Sequence, residues 1–226
     1  MKIETKIKKF YEKGFMYAID SARGLLKIAE IAANENEFGI ACSLNVLAAE
    51  EAIKAQYINS KINNPINEIA DFKRVFKDHS HKHKQLTILI NQQPIVKSLF
   101  KDIHFELNNL MKDIETMPSG LQENVHAKFP LIKKNFEFVK RIYEEKYEIL
   151  KINKWLKDAN KNKNKGLYLN LDFEKNKWER NRFNRLIFER ERKYTNQIIE
   201  IVIDSHNLTY LMKEMSRDRA ILKKLI

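Results

Sequence analysis

The sequence contains very little cysteine, glycine and proline, and it has no long apolar run. Cys42 is its single cysteine, which excludes an intrachain disulfide framework and a cysteine-built zinc site and suits a reducing compartment. Five glycines and four prolines are too few for the many turns of a β-sandwich or barrel. The longest apolar stretch, around residues 198–203, is far shorter than the roughly 18 residues of a membrane span. We therefore expect a cytoplasmic protein with no membrane partner.

What the chain has in excess is positive charge. Forty-two Lys and Arg residues against thirty Asp and Glu residues give a formal net charge of +12 over 226 residues. Such a balance favours an anionic partner, with RNA or DNA ahead of a membrane surface. The hydrophobic fraction of 43% is too high for a disordered chain, so a hydrophobic core is expected.

Apolar residues in the first 63 positions recur at helical spacing. One stripe begins at Phe10 and ends at the polar residues 34–36. A second begins near Phe38 and ends by Asn63, because Pro65 disfavours helical backbone at the residue before it. The pattern predicts two antiparallel helices joined by a short polar link.

The remainder of the chain also indicates helices. The spacing predicts helices over residues 66–93, from Pro94 onwards and over residues 131–159. A polar linker is expected at 161–166, followed by a short extended segment at 167–171. The last helix is expected from about Glu174 to the C-terminus, with a break at 205–207.

The predicted fold is an all-α bundle of four to six helices with a long C-terminal helical extension. We place the bundle in residues 1–160. Residues 161–226 are predicted to form a basic linker and a helical extension that packs on the bundle.

The most unusual stretch is residues 72–84, which holds three of the six histidines within five positions. Arg74 precedes His79 with four residues between them, and His81 with six. An imidazole can exchange a proton with a ribose hydroxyl, and a guanidinium can hold a phosphate and stabilise its transition-state charge. On a continuous helix Arg74 and His81 share a face, whereas His79 joins them only if the helix begins or bends there or a second subunit supplies it.

Two other interpretations of this stretch remain open. Lys73, Lys77, Lys82 and Lys84 surround the histidines, so the segment also fits a solvated basic face. His79 and His83, one helical turn apart, also fit a weak transition-metal site. We expect neither a metal nor another cofactor.

Two adjacent carboxylates, Glu50 and Glu51, interrupt an Ala-rich helix. One of them must face the bundle, and a buried carboxylate needs a partner. Arg74 or a histidine from the third helix is the expected partner. A structural ion pair, or a surface pair between Glu50 and Lys54, would explain the same pattern.

Residues 151–193 are rich in Lys and Arg with interleaved aromatic rings. Cations neutralise phosphates and rings stack on bases, so this region is a candidate for binding single-stranded RNA. Aromatic residues at this spacing also fit a core. The RNA-binding candidates chosen from this region are Arg180, Arg182 and Arg185.

Taken together, three segments resemble the AbiV family of abortive-infection proteins, within the HEPN superfamily. They are the Ala-rich segment with paired Glu and a following Lys at 48–55, the Phe- and His-containing segment at 72–84, and the Gly-Leu-Tyr segment at 165–170. The resemblance covers roughly residues 10 to 175.

This resemblance implies a HEPN-like helical bundle that forms homodimers, and a metal-independent RNase with an R-x(4–6)-H motif that uses the 2′-hydroxyl as nucleophile. Arg74 would hold the scissile phosphate, and His79 or His81 would be the general acid/base. Glu50 or Glu51 would orient the Arg or the His. Lys77, Lys82 and Lys84 would add phosphate contacts.

The resemblance also implies a role in phage defence, where infected cells stop growth or translation. Because an unregulated RNase would kill its host, a phage-encoded activator or a cognate antitoxin is expected as a partner. The alternative function is a non-catalytic helical interaction protein that binds a phage or host protein.

Overall fold

The structure is a computed structural model, and its description covers residues 2–63, 69, 71–95, 98, 101, 104–105, 108–109, 112, 115–116, 118–120, 122–123, 139–140, 148–167, 170–172, 177–179 and 183–222. Contacts divide the chain into two compact units, residues 1–90 with 148–206, and residues 91–147 with 207–226. The first unit contains the site described below. The described residues of the second unit are mostly helical and include residues 207–222, the last part of the C-terminal helix.

The described elements are six helices and two short strands. They are α1 (Lys2–Asn34), α2 (Phe38–Asn63), α3 (Phe72–Val75), α4 (His79–Asn91), α5 (Ile149–Leu167), β1 (Asn170–Asp172), β2 (Lys177–Glu179) and α6 (Arg185–Leu222). The two strands pair antiparallel, with Leu171 opposite Trp178. The all-α prediction is confirmed, with this ribbon as a small addition.

The first two helices form the predicted antiparallel pair. Asn36 has a φ of 64°, a left-handed conformation that Asn adopts more readily than most residues. The Glu37 amide donates to the Ala32 carbonyl at 2.8 Å, which closes the end of α1. The polar break predicted at residues 34–36 is therefore a tight helix-capping turn.

Helix α2 lies at the centre of the first unit and packs against α1, α3 and α5. Its buried residues are mostly small, so neighbouring backbones approach closely. One apolar cluster joins Ala29 and Ala33 of α1 to Ala41 and Cys42 of α2 and to Phe188 of α6. The Thr195 hydroxyl of α6 also donates to the Asn45 carbonyl of α2 at 3.1 Å.

The single helix predicted over 66–93 was wrong, because the chain forms two helices there. Helix α3 ends at Val75, and α4 begins at His79 after a turn. Asp78 stands at the N-cap of α4, where its Oδ1 accepts a hydrogen bond from the His81 amide at 3.0 Å. This helix start determines where the histidines point.

The polar linker predicted at 161–166 was also wrong, because α5 continues through it to Leu167. The extended segment predicted at 167–171 is confirmed at Asn170 and Leu171, which lie in the strand Asn170–Asp172, whereas Leu167 is the last residue of α5. The last helix begins at Arg185 rather than at Glu174, since residues 177–179 form a strand. It continues through 205–207, where a break was expected.

Most of the helix predicted from Pro94 onwards lies outside the described residues, as does most of the 131–147 part of the helix predicted over 131–159. The rest of that predicted helix, from Ile149, is the first part of α5. The division into a bundle and an extension at residue 160 stays a prediction. Within the described part of the chain, no helix is both long enough and apolar enough to cross a bilayer.

Candidate functional site

A single buried carboxylate, Glu50 on α2, organises the candidate site. His83 Nε2 lies 3.0 Å and Lys163 Nζ 2.9 Å from its Oε1 atom. On the other oxygen, Oε2, His79 Nδ1 makes a short hydrogen bond and Lys82 Nζ lies at 3.6 Å. The Glu50 side chain is only 2% exposed, so these four groups replace its water shell.

The two histidines reach the same carboxylate because α4 begins at His79. From that start, His79 and His83 are one helical turn apart on one face of α4, which points toward α2. The turn between α3 and α4 therefore supplies the bend that the sequence pattern required for His79.

Lys163 comes from α5, more than a hundred residues along the chain. The Ser43 hydroxyl on α2 bridges the Gly39 and Lys163 carbonyl oxygens, at 2.9 Å and 2.8 Å. A Cβ atom at Gly166 would lie 2.2 Å from the Gly39 oxygen, so only glycine permits this close approach of α5 to α2. The close packing carries the Lys163 ammonium to Glu50.

The electrostatics keep Glu50 ionised. Burial alone would raise the pKa of its carboxyl group, but hydrogen bonds from His83, Lys163 and His79 outweigh that effect and lower the pKa to about 2. An ionised carboxylate only accepts hydrogen bonds, so His79 donates from Nδ1. Its other nitrogen, Nε2, is then the one that can take up a proton, on a side chain that is 52% exposed.

Arg74 stands outside this cluster. Its side chain is 58% exposed, and its Nε donates to Asp78 Oδ2 at 3.0 Å. Hydrogen bonds from the His81 backbone and from Arg74 lower the pKa of the Asp78 carboxyl, so this carboxylate is also ionised. Asp78 thus orients Arg74 and caps α4. Of the expected partners, the structure brings Glu50 and His79 together.

Glu51 and His81, two further candidates, point elsewhere. Glu51 pairs with Lys54 at 2.5 Å, so the alternative Glu50–Lys54 surface pair is not formed. The His81 side chain is only 4% exposed, packs edge-on against Tyr57 and has its Nε2 3.9 Å from Asp71 Oδ2. A buried ring cannot reach a phosphate in solvent, which leaves His79 as the accessible histidine of the pair.

Four of the six predicted RNA-binding cations lie among the described residues. Lys77 and Lys84 are exposed, as phosphate contacts require, whereas Lys82 is buried against Glu50 and its predicted phosphate contact was wrong. Arg185 contacts Asn34 at 3.3 Å and Glu189 at 3.8 Å, so it ties α6 to the end of α1. The remaining two, Arg180 and Arg182, lie outside the described residues.

Sequence reasoning missed Lys163 and considered His83 only as a metal ligand. A usable signal for Lys163 was the spacing of Ile152, Ala159 and Gly166, which continues the apolar and small face of α5 past the supposed linker. In the regions that the structure covers, no group of three or more His, Cys, Asp or Glu side chains is arranged to hold a metal ion.

The first unit is thus an all-α unit in which a buried carboxylate holds an exposed histidine, five residues after an exposed arginine. A family model described as AbiV, the HEPN_AbiV family, matches residues 10–181. The chain belongs to this family, and the membership indicates an abortive-infection protein of the HEPN type. Neither the curated proteins nor the solved structures compared with the chain give a match.

Proposed function

We propose that the protein is a metal-independent endoribonuclease that cleaves RNA and arrests translation or growth during phage infection. The observation that carries the proposal is the hydrogen bond from His79 Nδ1 to the buried, ionised Glu50. It fixes the ring tautomer and leaves an outward nitrogen for proton transfer. Arg74, which is 58% exposed, would supply the guanidinium.

The chemistry follows from these two side chains. His79 Nε2 takes the proton of a ribose 2′-hydroxyl, and the 2′-oxygen attacks the adjacent phosphorus. The bond to the 5′-oxygen of the next nucleotide breaks, which leaves a 2′,3′-cyclic phosphate and a 5′-hydroxyl. Arg74 Nε donates to Asp78, and its terminal nitrogens would hold two phosphate oxygens as negative charge develops.

The departing 5′-oxygen needs a proton from a second group, and a second copy of the chain would supply it. His81 is buried and His83 is bound to Glu50, so neither is placed to be this acid. A homodimer that brings two Arg74–His79 pairs into one cleft would provide both the base and the acid. This requirement supports the dimer that the family resemblance implies.

Exposed lysines near the pair, Lys77 and Lys84, would hold neighbouring phosphates of the strand. An enzyme of this kind is toxic unless it is controlled. A phage-encoded activator or a cognate antitoxin therefore belongs to the proposal.

The test compares wild type, Arg74→Ala and His79→Ala for growth arrest in cells and for cleavage of total RNA in EDTA. Wild type should cleave without metal, and each variant should lose at least about a hundredfold in rate, the range of a removed acid/base or phosphate contact. Lys73→Ala is the matched control, because it removes an exposed cation beside Arg74 that has no role in the mechanism.

Equal cleavage by wild type and both variants would end the nuclease proposal. Loss of wild-type cleavage in EDTA would show that the reaction requires a metal ion. A comparable loss of cleavage rate in Lys73→Ala would show that cleavage depends on the general positive charge of this segment rather than on Arg74 specifically.

A second candidate function is a non-catalytic interaction protein. It is favoured by the outer face of α1, where Phe10, Tyr17 and Ile28 are each more than half exposed and share one side of the helix. Replacing Tyr17 and Ile28 by Lys would abolish growth arrest in this case, while Arg74→Ala would leave it intact. The nuclease proposal predicts that Arg74→Ala alone abolishes the arrest.

A further inference from the structure

Lys163 of α5 contacts the ring of His79 as well as the carboxylate of Glu50. Its Nζ atom lies 2.9 Å from Glu50 Oε1 and 3.3 Å from His79 Nδ1. The Lys163 side chain is only 7% exposed, so water screens these short distances very little. A buried ammonium group therefore faces the ring to which the proposed function assigns proton transfer.

The contact between Lys163 and His79 is a repulsion rather than a hydrogen bond. Because Glu50 is ionised, His79 Nδ1 carries a hydrogen and donates it to Oε2. An ammonium group is also only a donor, so neither nitrogen can accept a hydrogen bond from the other. The two donors meet only because both bind the same carboxylate. Lys163 thus acts on the His79 ring through its charge.

The backbone around Lys163 is fixed against α2 and does not depend on His79. The Lys163 carbonyl oxygen accepts a hydrogen bond from the Ser43 hydroxyl at 2.8 Å. One turn further along α5, Gly166 packs so closely that a Cβ atom there would lie 2.2 Å from the Gly39 oxygen. We therefore expect the ammonium group to stay beside the His79 ring whether that ring is neutral or protonated.

Two opposite charges act on the His79 ring. The carboxylate of Glu50 favours a second proton on the ring, and the ammonium of Lys163 disfavours it. The other titratable groups at this carboxylate come from α4. They are Lys82, whose Nζ lies 3.6 Å from Oε2, and His83, whose Nε2 lies 3.0 Å from Oε1.

The proposed reaction needs both protonation states of His79. A neutral His79 takes the proton of the 2′-hydroxyl, and a protonated His79 in a second copy gives a proton to the departing 5′-oxygen. Because the two copies have one sequence, the same surroundings must allow both states near neutral pH. Glu50 alone would favour the protonated ring, and Lys163 alone would favour the neutral ring.

We propose that Lys163 is a positioning residue that balances the charge of Glu50, so that His79 can both take up and release a proton at neutral pH. Its part in RNA cleavage rests on the proposed function. The balance of charge itself is measured on the His79 ring without RNA, so the two can fail separately.

Two readouts on the full-length protein test the proposal. The first is an NMR titration of the histidine rings, in which the His79 signal is assigned by its absence from His79→Gln. The second is the pH profile of cleavage of a defined oligoribonucleotide in EDTA. The variants are Lys163→Met, Lys163→Arg, Glu50→Gln and the double variant Glu50→Gln/Lys163→Met. Lys161→Met is the matched control, because it removes an exposed lysine of the same helix.

In Lys163→Met the titration midpoint of His79 should move to higher pH by about one unit, because the charge of Glu50 is no longer opposed. Both limbs of the cleavage profile should move with it, which makes cleavage on the acidic side about tenfold slower. Glu50→Gln should move the midpoint to lower pH, and the double variant should return it toward the wild-type position. Lys163→Arg should retain most of the balance, and Lys161→Met should leave the midpoint where it is.

A midpoint of His79 that stays in place or falls in Lys163→Met would overturn the proposal. An equal rise in Lys161→Met would also overturn it, since the effect would then belong to the general positive charge of α5. If Lys163→Met does not fold, the double variant is compared with Glu50→Gln, and a midpoint that fails to rise there would overturn the proposal. The predicted shifts in a wild-type background that cleaves no RNA would support the balance of charge and end the proposed nuclease function instead.

Discussion

The carboxylate of Glu50 and the imidazole of His79 form the relationship around which the site is arranged. Glu50 is buried and ionised, and the half-exposed His79 ring is bound to it through Nδ1. Lys163, His83 and Lys82 complete the shell, so one acid joins α2, α4 and α5. The same bond that stabilises the unit also sets the tautomer of the histidine.

Glu50→Gln should therefore slow RNA cleavage by the folded protein, in addition to lowering its stability. Gln keeps the shape of Glu but no longer favours the Nδ1–H tautomer of His79, and we expect a loss of about ten- to a hundredfold in the cleavage rate. Cleavage of a defined oligoribonucleotide, measured beside circular dichroism, checks this. Glu51→Gln is the matched control, since Glu51 pairs with Lys54 outside the cluster. Equal rates in both variants would contradict the role of Glu50.

Gly166→Ala should destabilise the protein. Its Cβ would lie 2.1 Å from Ser43 Oγ and 2.2 Å from the Gly39 oxygen, so α5 would have to move away from α2 and take Lys163 from Glu50. We expect a loss of roughly 2–4 kcal/mol in unfolding free energy, from overpacking and the broken ion pair. Urea denaturation measures it.

Gly24→Ala is the control for this substitution. A Cβ atom at Gly24, also within a helix, meets nothing within 4 Å. Ala should stabilise that helix by about 0.5–1 kcal/mol. If both substitutions changed the unfolding free energy equally, the close approach of α5 to α2 at Gly166 would make no contribution to stability.

The stability of wild type should fall in acid through Glu50. Its folded pKa of about 2 lies below the ordinary value of 4.5, so its contribution is complete above pH 4.5 and is lost as the pH falls toward 2. The difference in unfolding free energy between wild type and Glu50→Gln should therefore shrink over this window. A difference that stays constant from pH 6 to pH 2.5 would contradict the lowered pKa.

Glu191 should act in the opposite direction. Its folded pKa of about 7 lies above 4.5, so the neutral acid contributes stability below pH 4.5 that is lost as the pH rises through 7. Relative to wild type, Glu191→Gln should gain roughly 1–3 kcal/mol between pH 4.5 and pH 8. Thermal melts across this range measure it. Glu189→Gln, an exposed neighbour on α6, should show no such trend, and a flat result for Glu191→Gln would refute the prediction.

The contact between Glu50 and a histidine that follows Arg74 could be predicted from the sequence. A carboxylate within the Ala-rich α2 had to find a partner, and a histidine after Arg74 was the expected one, provided that a helix began there. The apolar spacing of 66–93 predicted one helix, and the N-cap role of Asp78 was not recognised. The N-cap at Asp78 determines where α4 begins and therefore where the histidines point. The periodicity of apolar residues does not indicate such a helix start.

The rest of the site depended on contacts distant in sequence. Lys163 contacts Glu50, which lies 113 residues earlier in the chain. The segment around it, KNKNKG, was predicted to be a linker because its residues are mostly polar. Gly166 was similarly read as a linker residue, whereas it is the point of closest approach between α5 and α2. Tertiary packing overrode local composition here, and a single sequence carries little signal of such a pairing.

The most direct measurement of the central claim is the cleavage rate of a defined oligoribonucleotide in EDTA by wild type and by His79→Gln. The account predicts that wild type yields fragments ending in a 2′,3′-cyclic phosphate, and that His79→Gln, folded to the same extent, is slower by at least about a hundredfold. Cleavage by His79→Gln at the wild-type rate would contradict this account. So would a wild-type protein that arrests growth in cells but does not cleave the oligoribonucleotide.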